Sequence, residues 1–141
     1  MTDPLAGRTA VVTGAGQGVG QGIAAALALR GASVVLAARR AETGEPAAAA
    51  IRDRGGEARC VVTDVTRGDD VARCVTETVE RYGGLDIMVH NAFHGGRPHR
   101  LEEVDDALWT TNSRTAVWGS YYCARYAAAH LQAAGARGRL L

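Results

Sequence analysis

Apolar residues occur along the chain in short blocks that are apolar throughout, instead of at every second position. Blocks of this kind are typical of parallel strands that are buried on both faces. Glycine-bounded segments with helical spacing of apolar residues separate them. The pattern predicts strands over residues 9–13, 33–38, 57–63 and 85–90, with residues 139–141 as the start of a fifth.

The intervening segments predict four helical regions. The first follows the glycines after residue 13 and ends at Gly31. The second begins near Thr43, carries Pro46 in its first turn and ends at Gly55. The third covers residues 69–82, with its apolar face formed by Val71, Val75, Thr78, Val79 and Tyr82. The last covers residues 102–134, with a break expected between 105 and 110.

Regular alternation of strand and helix with short connections favours right-handed crossovers between parallel strands. We therefore predict a doubly wound α/β (Rossmann) sheet that binds its ligand at the carboxyl ends of the strands. The 141 residues suit one domain, residues 1–141, which would be truncated at the start of the fifth strand.

Composition narrows the class of partner. The chain is 47% hydrophobic and 22% charged, and its formal net charge of +1 gives no reason to expect nucleic acid or an anionic membrane surface. No apolar run approaches the roughly 20 residues that span a bilayer. The N-terminus lacks the features of a signal peptide, and three separated cysteines without a C-x-x-C pair favour a reduced, cytoplasmic setting. All 16 basic residues are arginine, which is typical of a GC-rich bacterial genome.

A glycine-rich turn joins the first strand to the first helix. Glycines permit positive φ angles and close approach of a bulky anion, and the amide groups of a helix N-terminus bind that anion. A P-loop needs a lysine, and the chain has none. The G-x-G-x-x-G fingerprint also fails, because Val19 stands where its third glycine would be. A dinucleotide pyrophosphate fits the turn, with Gly14, Gln17, Gly18, Val19 and Gly20 as its predicted contacts.

The pattern Thr13-Gly14-x-x-x-Gly18-x-Gly20 resembles the cofactor loop of the short-chain dehydrogenase/reductase family. The resemblance covers residues 8–141 and corresponds to the first half of a typical member. It implies an oxidoreductase that transfers hydride between a nicotinamide coenzyme and a carbonyl or alcohol of a small-molecule substrate. It also implies a homo-oligomer, dimer or tetramer, in which the last helix packs against its own copy.

Arginines follow the second strand where a dinucleotide site that prefers NAD usually has a carboxylate. Arg39 and Arg40 come about 20 residues after the glycines. A guanidinium can bind the 2′-phosphate of NADP with two hydrogen bonds, whereas a carboxylate would repel it. We therefore predict NADP, while a solvated helix start, with NAD as the coenzyme, is the alternative.

Two further strand ends match the family. Asp64 and Val65 follow the third strand, where the resemblance implies contact with the adenine; a turn aspartate is the alternative. Asn91 and Ala92 follow the fourth strand and match part of the Asn-Asn-Ala-Gly sequence that lies near the cofactor ribose.

The same loop also departs from the family, because His90 and Phe93 replace its first and last residues. The spacing of His90, His94 and His99 resembles no zinc motif, so we predict no metal site.

The catalytic residues of the family are missing. Members use a Tyr-x-x-x-Lys pair, a serine and an asparagine; this chain has no lysine, and the serine position lies beyond residue 141. Trp109 and Gly119 align the last helix with the family and put Ala116 at the asparagine position, with Asn112 roughly 6 Å away along the axis. The chain is therefore either the cofactor half of a longer reductase, which we favour, or a non-catalytic dinucleotide-binding module. The first alternative predicts an open apolar edge at the fourth strand.

Overall fold

Five parallel strands form one sheet in the computed structural model, which describes residues 3–94 and 96–141. The strands are β1 (Thr9–Thr13), β2 (Ser33–Ala38), β3 (Glu57–Val62), β4 (Ile87–Val89) and β5 (Arg139–Leu140). Their spatial order is β3–β2–β1–β4–β5, so the winding reverses between β1 and β4. Ligands of α/β proteins commonly bind at such a reversal. The predicted doubly wound α/β fold is confirmed.

Helices cover both faces of the sheet. They are α1 (Gly18–Ala28), α2 (Ala41–Arg52), α3 (Gly68–Tyr82), α4 (Asp106–Ser113) and α5 (Gly119–Ala133). A π-helical segment, Arg114–Trp118, joins α4 to α5, and single 3₁₀ turns cover Leu101–Glu103 and Gly135–Arg137. Among the described residues, no helix combines the length and the apolar character that a membrane crossing requires.

The core has two layers because successive side chains of a strand point to opposite faces. On one face, Val12 and Leu36 pack with Ala24 of α1 and Ile51 of α2. On the other face, the strands pack against α3 and α5 through side chains that include Val11, Met88, Val71, Val75, Cys123 and Ala127. Burial on both faces explains why the strands are apolar throughout.

Several element boundaries differ from the predictions by a few residues, as at α2 and β4. Helix α2 begins at Ala41, before the predicted Thr43, because the Gly44 N–H and the Thr43 hydroxyl both donate to the Arg40 carbonyl. Strand β4 is shorter than residues 85–90. Asp86 precedes it, and its buried carboxylate accepts the Thr9 N–H at 2.9 Å.

The last helical region is interrupted at residues 104 and 105, at the beginning of the interval 105–110 in which a break was predicted. Asp105 caps α4 by accepting the Leu108 N–H at 2.8 Å, and the chain is then helical through the π segment to residue 133. The predicted third helix is confirmed, with Val71, Val75 and Thr78 buried.

The predicted open edge at the fourth strand is wrong for this chain. Strand β5 pairs with β4 in parallel, with Ile87 opposite Arg139 and Met88 opposite Leu140. The His90 N–H also donates to the Leu141 carbonyl at 2.8 Å. The 3₁₀ turn after α5 returns the chain to the sheet within a few residues, so even a short segment reaches the edge of β4.

Candidate functional site

A cleft of about 670 Å³ lies at the carboxyl ends of β1, β2, β3 and β4. All the residues predicted to contact a coenzyme line it: Gly14, Gln17, Gly18, Val19, Gly20, Arg39, Arg40, Asp64, Val65, Asn91 and Ala92. Fold topology thus gathers four separate sequence segments at one place, as parallel strands require. Their contacts with a ligand stay a prediction.

The glycine-rich turn is built for close approach of backbone to backbone. Gly14 and Gly18 have φ angles of +64° and +58°, which side chains disfavour. A Cβ atom on Gly20 would collide with the Gly14 carbonyl and the Asn91 amide nitrogen. Glycine is therefore required here by the fold itself.

The N-terminus of α1 lacks a side-chain cap. Gln17 occupies the cap position with an extended backbone, its side chain makes no capping hydrogen bond, and no acidic residue lies in the first turn. The first amide groups of a helix have no intrahelical partner and carry a partial positive charge. This helix end can accept a phosphate group without displacing a side chain.

Two guanidinium groups lie beside the glycine-rich turn. Arg39 and Arg40 are exposed and form no ion pair with any residue the structure describes. Thr43 packs close to the turn, since a Cβ on Gly16 would lie 2.6 Å from its hydroxyl oxygen. This packing brings the beginning of α2, and the two arginines before it, to the cleft.

Asp64 forms a turn, which the sequence analysis gave as the alternative to contact with the adenine. Its Oδ1 accepts the Thr66 N–H at 2.9 Å and the Thr66 hydroxyl at 2.7 Å. Its own N–H donates to the Asp70 carboxylate at 3.0 Å. The hydrogen bonds between described residues leave Oδ2 without a donor, so one oxygen stays available to a ligand.

Thr13 and Asn91 connect the fourth strand end to the glycine-rich turn. The Thr13 hydroxyl oxygen accepts the N–H groups of Asn91 and Ala92 at 3.0 and 3.1 Å. The Asn91 amide nitrogen lies 3.1 Å from the Thr13 carbonyl and 3.4 Å from that of Gly14, and it donates to both. The Asn91 side chain therefore holds the turn in place.

Sequence reasoning did not assign this role to Thr13. The sequence around a threonine at the end of an apolar strand does not indicate which groups its hydroxyl will bind.

The loop histidine His90 is half-buried below the cleft. Its Nδ1 lies 3.3 Å from the Thr13 hydroxyl oxygen, and the ring also contacts the backbone of the π segment. Burial lowers the pKa of His90, and hydrogen bonds to the carbonyls of Ala116 and Thr115 act in the opposite direction. The described residues contain no cluster of three potential metal ligands.

The predicted asparagine position, Ala116, lies in the π segment and is exposed. Thr115, its neighbour, lines the cleft, as do Phe93, His94, Gly96 and Thr43, none of which the sequence analysis assigned as a coenzyme contact. Asn112 has a buried Oδ1 with no hydrogen-bond partner among the described residues. Ala116 has no side-chain amide, and Asn112 is not among the residues that line the cleft.

The sheet order and the uncapped helix in the cleft define an α/β protein of the nucleotide-binding class. The family model for short chain dehydrogenase matches residues 8–141, and the chain belongs to the short-chain dehydrogenase/reductase family of oxidoreductases. A similar protein is the cis-4-hydroxycyclohexanecarboxylate dehydrogenase of Sinomonas cyclohexanicum, 39% identical over 135 residues, which are 96% of this chain and 54% of the relative. The A-factor type gamma-butyrolactone 1′-reductase of Streptomyces virginiae is 37% identical, with 97% of this chain and 53% of the relative covered.

Solved structures agree with these sequence relatives. A metagenomic short-chain oxidoreductase in complex with NADP superposes with a TM-score of 0.86 at 34% identity, covering 96% of this chain and 61% of that one. A dehydrogenase/reductase from Sinorhizobium meliloti 1021 gives a TM-score of 0.87 at 34% identity, covering 99% and 54%. The chain spans about half the length of the curated relatives it matches.

Proposed function

We propose that this chain binds NADP(H) and belongs to an enzyme that transfers hydride between the nicotinamide and a small carbonyl or alcohol. The observation that carries the proposal is the uncapped N-terminus of α1, which opens into the same cleft as two unpaired arginines. A phosphate-bearing dinucleotide matches both features. The coenzyme supplies or accepts the hydride when it is bound.

Each part of the coenzyme has a group in the cleft that suits it. The amides of Gly18, Val19 and Gly20 would hold the pyrophosphate at the helix N-terminus. The free Oδ2 of Asp64 would accept the adenine amino group, beside Val65. The backbone at Asn91 and Ala92 would lie along the ribose on the nicotinamide side. Residues 1–141 would then form a dinucleotide-binding domain, the N-terminal half of a single-domain member of the family.

The preference for NADP rests on charge. Arg39 and Arg40 place two positive groups at the end of β2, and no carboxylate stands at that strand end. Charge-assisted hydrogen bonds from arginine to phosphate contribute about 1.5–3 kcal/mol each. The relative that was solved with NADP is consistent with this choice.

Calorimetric titration with NADPH and NADH tests the proposal. We expect NADPH to bind, and to bind at least about tenfold more tightly than NADH, as one such hydrogen bond implies. If the gene continues past residue 141, the titration is done on the longer protein. Absence of binding by both coenzymes would refute the proposal.

A non-catalytic dinucleotide-binding module is the second candidate. It is favoured by Ala116, which occupies the family's asparagine position and offers no side-chain amide, and by the absence of lysine from the sequence. This candidate predicts thermal stabilisation by NADPH without consumption of NADPH for any carbonyl substrate. The hydride-transfer proposal instead requires the family's serine and Tyr-x-x-x-Lys pair in the same protein.

Cytoplasmic localisation is part of the same proposal. NADP(H) is a soluble coenzyme, and the free cysteines Cys60, Cys74 and Cys123 suit a reducing compartment.

A further inference from the structure

His90 lies where three elements of the molecule meet. It directly follows β4, and its Nδ1 lies 3.3 Å from the Thr13 hydroxyl at the end of β1 and 3.7 Å from the Cys123 thiol of α5. A Cβ on Gly119, at the beginning of α5, would lie 2.7 Å from the His90 Cε1 atom. Glycine at this position thus leaves the room that the ring occupies.

The hydrogen bonds of Thr13 determine which ring nitrogen carries the proton. A hydroxyl oxygen has two acceptor lone pairs and one proton to donate. The N–H groups of Asn91 and Ala92 occupy both lone pairs. The Thr13 proton is then free to point at Nδ1, which must be the acceptor.

The opposite side of the ring supports the same tautomer. The backbone of Thr115 and Ala116 raises the pKa of His90, as carbonyl groups that can only accept a hydrogen bond from the ring would. The neutral ring therefore carries its proton on Nε2. One continuous chain of hydrogen bonds then runs from His90 through Thr13 to the Asn91–Ala92 backbone.

We propose that neutral His90, protonated on Nε2, is a positioning residue that holds α5 against the loop of Asn91 and Ala92 and so makes coenzyme affinity depend on its protonation. The dependence on coenzyme rests on the proposed function. The hydrogen-bond arrangement itself does not.

Protonation would break this chain of hydrogen bonds. A proton on Nδ1 faces the Thr13 hydroxyl, whose oxygen would then meet three donors with two lone pairs. Burial, which lowers the pKa of His90, keeps the ring neutral at neutral pH. The groups packed against the ring carry no charge there: Thr13, Val65, Thr115, Ala116, Gly119 and Cys123, whose thiol pKa burial raises to about 12.

The tautomer is measured from the ring ¹⁵N chemical shifts of the wild-type chain near neutral pH. We expect a neutral His90 with a protonated Nε2 and an unprotonated Nδ1. In Thr13→Val, which lacks the donor to Nδ1, the Nδ1 signal should shift. A ring protonated on Nδ1 near neutral pH would overturn the proposal, and this measurement needs no coenzyme.

The functional part is tested by NADPH titrations between about pH 8 and about pH 5.5, on both sides of the ordinary histidine pKa. We compare the wild type with His90→Asn, whose amide can accept from Thr13 and donate to a carbonyl but does not titrate. His99→Asn, at an exposed loop position, is the matched control.

Between the alkaline and the acidic end, the affinity of the wild type and of the His99→Asn control for NADPH should fall about fivefold or more beyond any fall seen for His90→Asn. A fivefold change is at the lower end of typical coupling free energies between two sites. Coinciding pH profiles for wild type and His90→Asn would overturn the inference. If the wild type binds no coenzyme at any pH, the proposed function and its coupling to His90 both fail, whereas the ring signals still decide the hydrogen-bond arrangement.

Discussion

Gly20 and Gly22 lie two residues apart in α1 and have different surroundings. A Cβ on Gly20 would collide with the glycine-rich turn, whereas a Cβ on Gly22 would meet nothing within 4 Å. We expect Gly20→Ala to lower the free energy of unfolding by about 1–3 kcal/mol and to weaken coenzyme binding. Gly22→Ala should raise stability by about 0.5–1 kcal/mol, because alanine favours the helix. Urea unfolding and calorimetry measure both; equal effects of the two variants would contradict the packing.

Arg39 and Arg40, at the end of β2, should determine the choice between the two coenzymes. Replacing Arg39 and Arg40 together with alanine should weaken NADPH binding by about 10–100-fold and change NADH binding little, because only NADPH has the 2′-phosphate. Arg54→Ala removes an exposed arginine beyond the other end of α2 and is the control. A parallel loss for both coenzymes would argue against recognition of the phosphate by these residues.

Stability should depend on pH through His90. Because its pKa is lowered in the folded chain, the unfolded chain binds a proton first as the pH falls. The stability that the neutral ring contributes is present above about pH 6.5 and is lost as the pH falls toward the folded-state value. Urea midpoints measured across this range should decrease more for wild type than for His90→Asn. Identical decreases would assign the pH dependence to other groups.

At the scale of elements, one hydroxyl joins β1 to the loop after β4. Thr13→Val keeps the shape but leaves two N–H groups without their acceptor, so we expect a loss of about 2–4 kcal/mol in the free energy of unfolding. Thr13→Ser keeps the hydroxyl and should recover most of it. Denaturant titration distinguishes the two, and a valine variant as stable as the serine variant would contradict the role of these hydrogen bonds.

The elements themselves were largely predictable from sequence. Strands β1 and β2 match their predicted bounds, since burial on both faces selects uninterrupted apolar runs. Helix starts were less predictable: Ala41 begins α2 through hydrogen bonds of Thr43 and Gly44 to one carbonyl. The sequence did not indicate the π segment, which lies inside the helical region predicted over residues 102–134.

At the scale of the whole molecule, α4, the π segment and α5 expose an apolar band. Trp109, Val117, Trp118 and Tyr121 are 66, 65, 50 and 47% exposed, and Trp118 stacks on Tyr122 with ring centroids 5.7 Å apart. Large apolar patches of this kind are typical of protein interfaces. We propose a second copy of this chain as the partner, in agreement with the oligomer that the family resemblance implies.

Sedimentation velocity tests this assembly. Val117→Glu places a charge in the band and should shift the chain toward monomer, whereas Leu29→Glu, at an exposed position at the end of α1, should not. A wild type that stays monomeric at high micromolar concentration would contradict self-association through this surface.

The sequence predicted those residues of the candidate site that directly follow a strand. Parallel strands bring their carboxyl ends to one edge, so locating Arg39, Asp64 and Asn91 after strands was sufficient to place them in one cleft. The sequence did not predict the roles of Thr13 and His90, because the two residues contact each other across 77 positions of the chain.

The sequence by itself determined the succession of strands and helices, the glycine-rich turn and the family. These features follow from local spacing and from the backbone freedom of glycine, which depend little on distant residues. Only the tertiary structure decided that β5 covers the edge of β4, that Asn91 holds the turn, and that the His90 ring lies within hydrogen-bond distance of the Thr13 hydroxyl. Those outcomes depend on distances of about 3 Å between segments far apart in sequence, and only the packed sheet sets such distances.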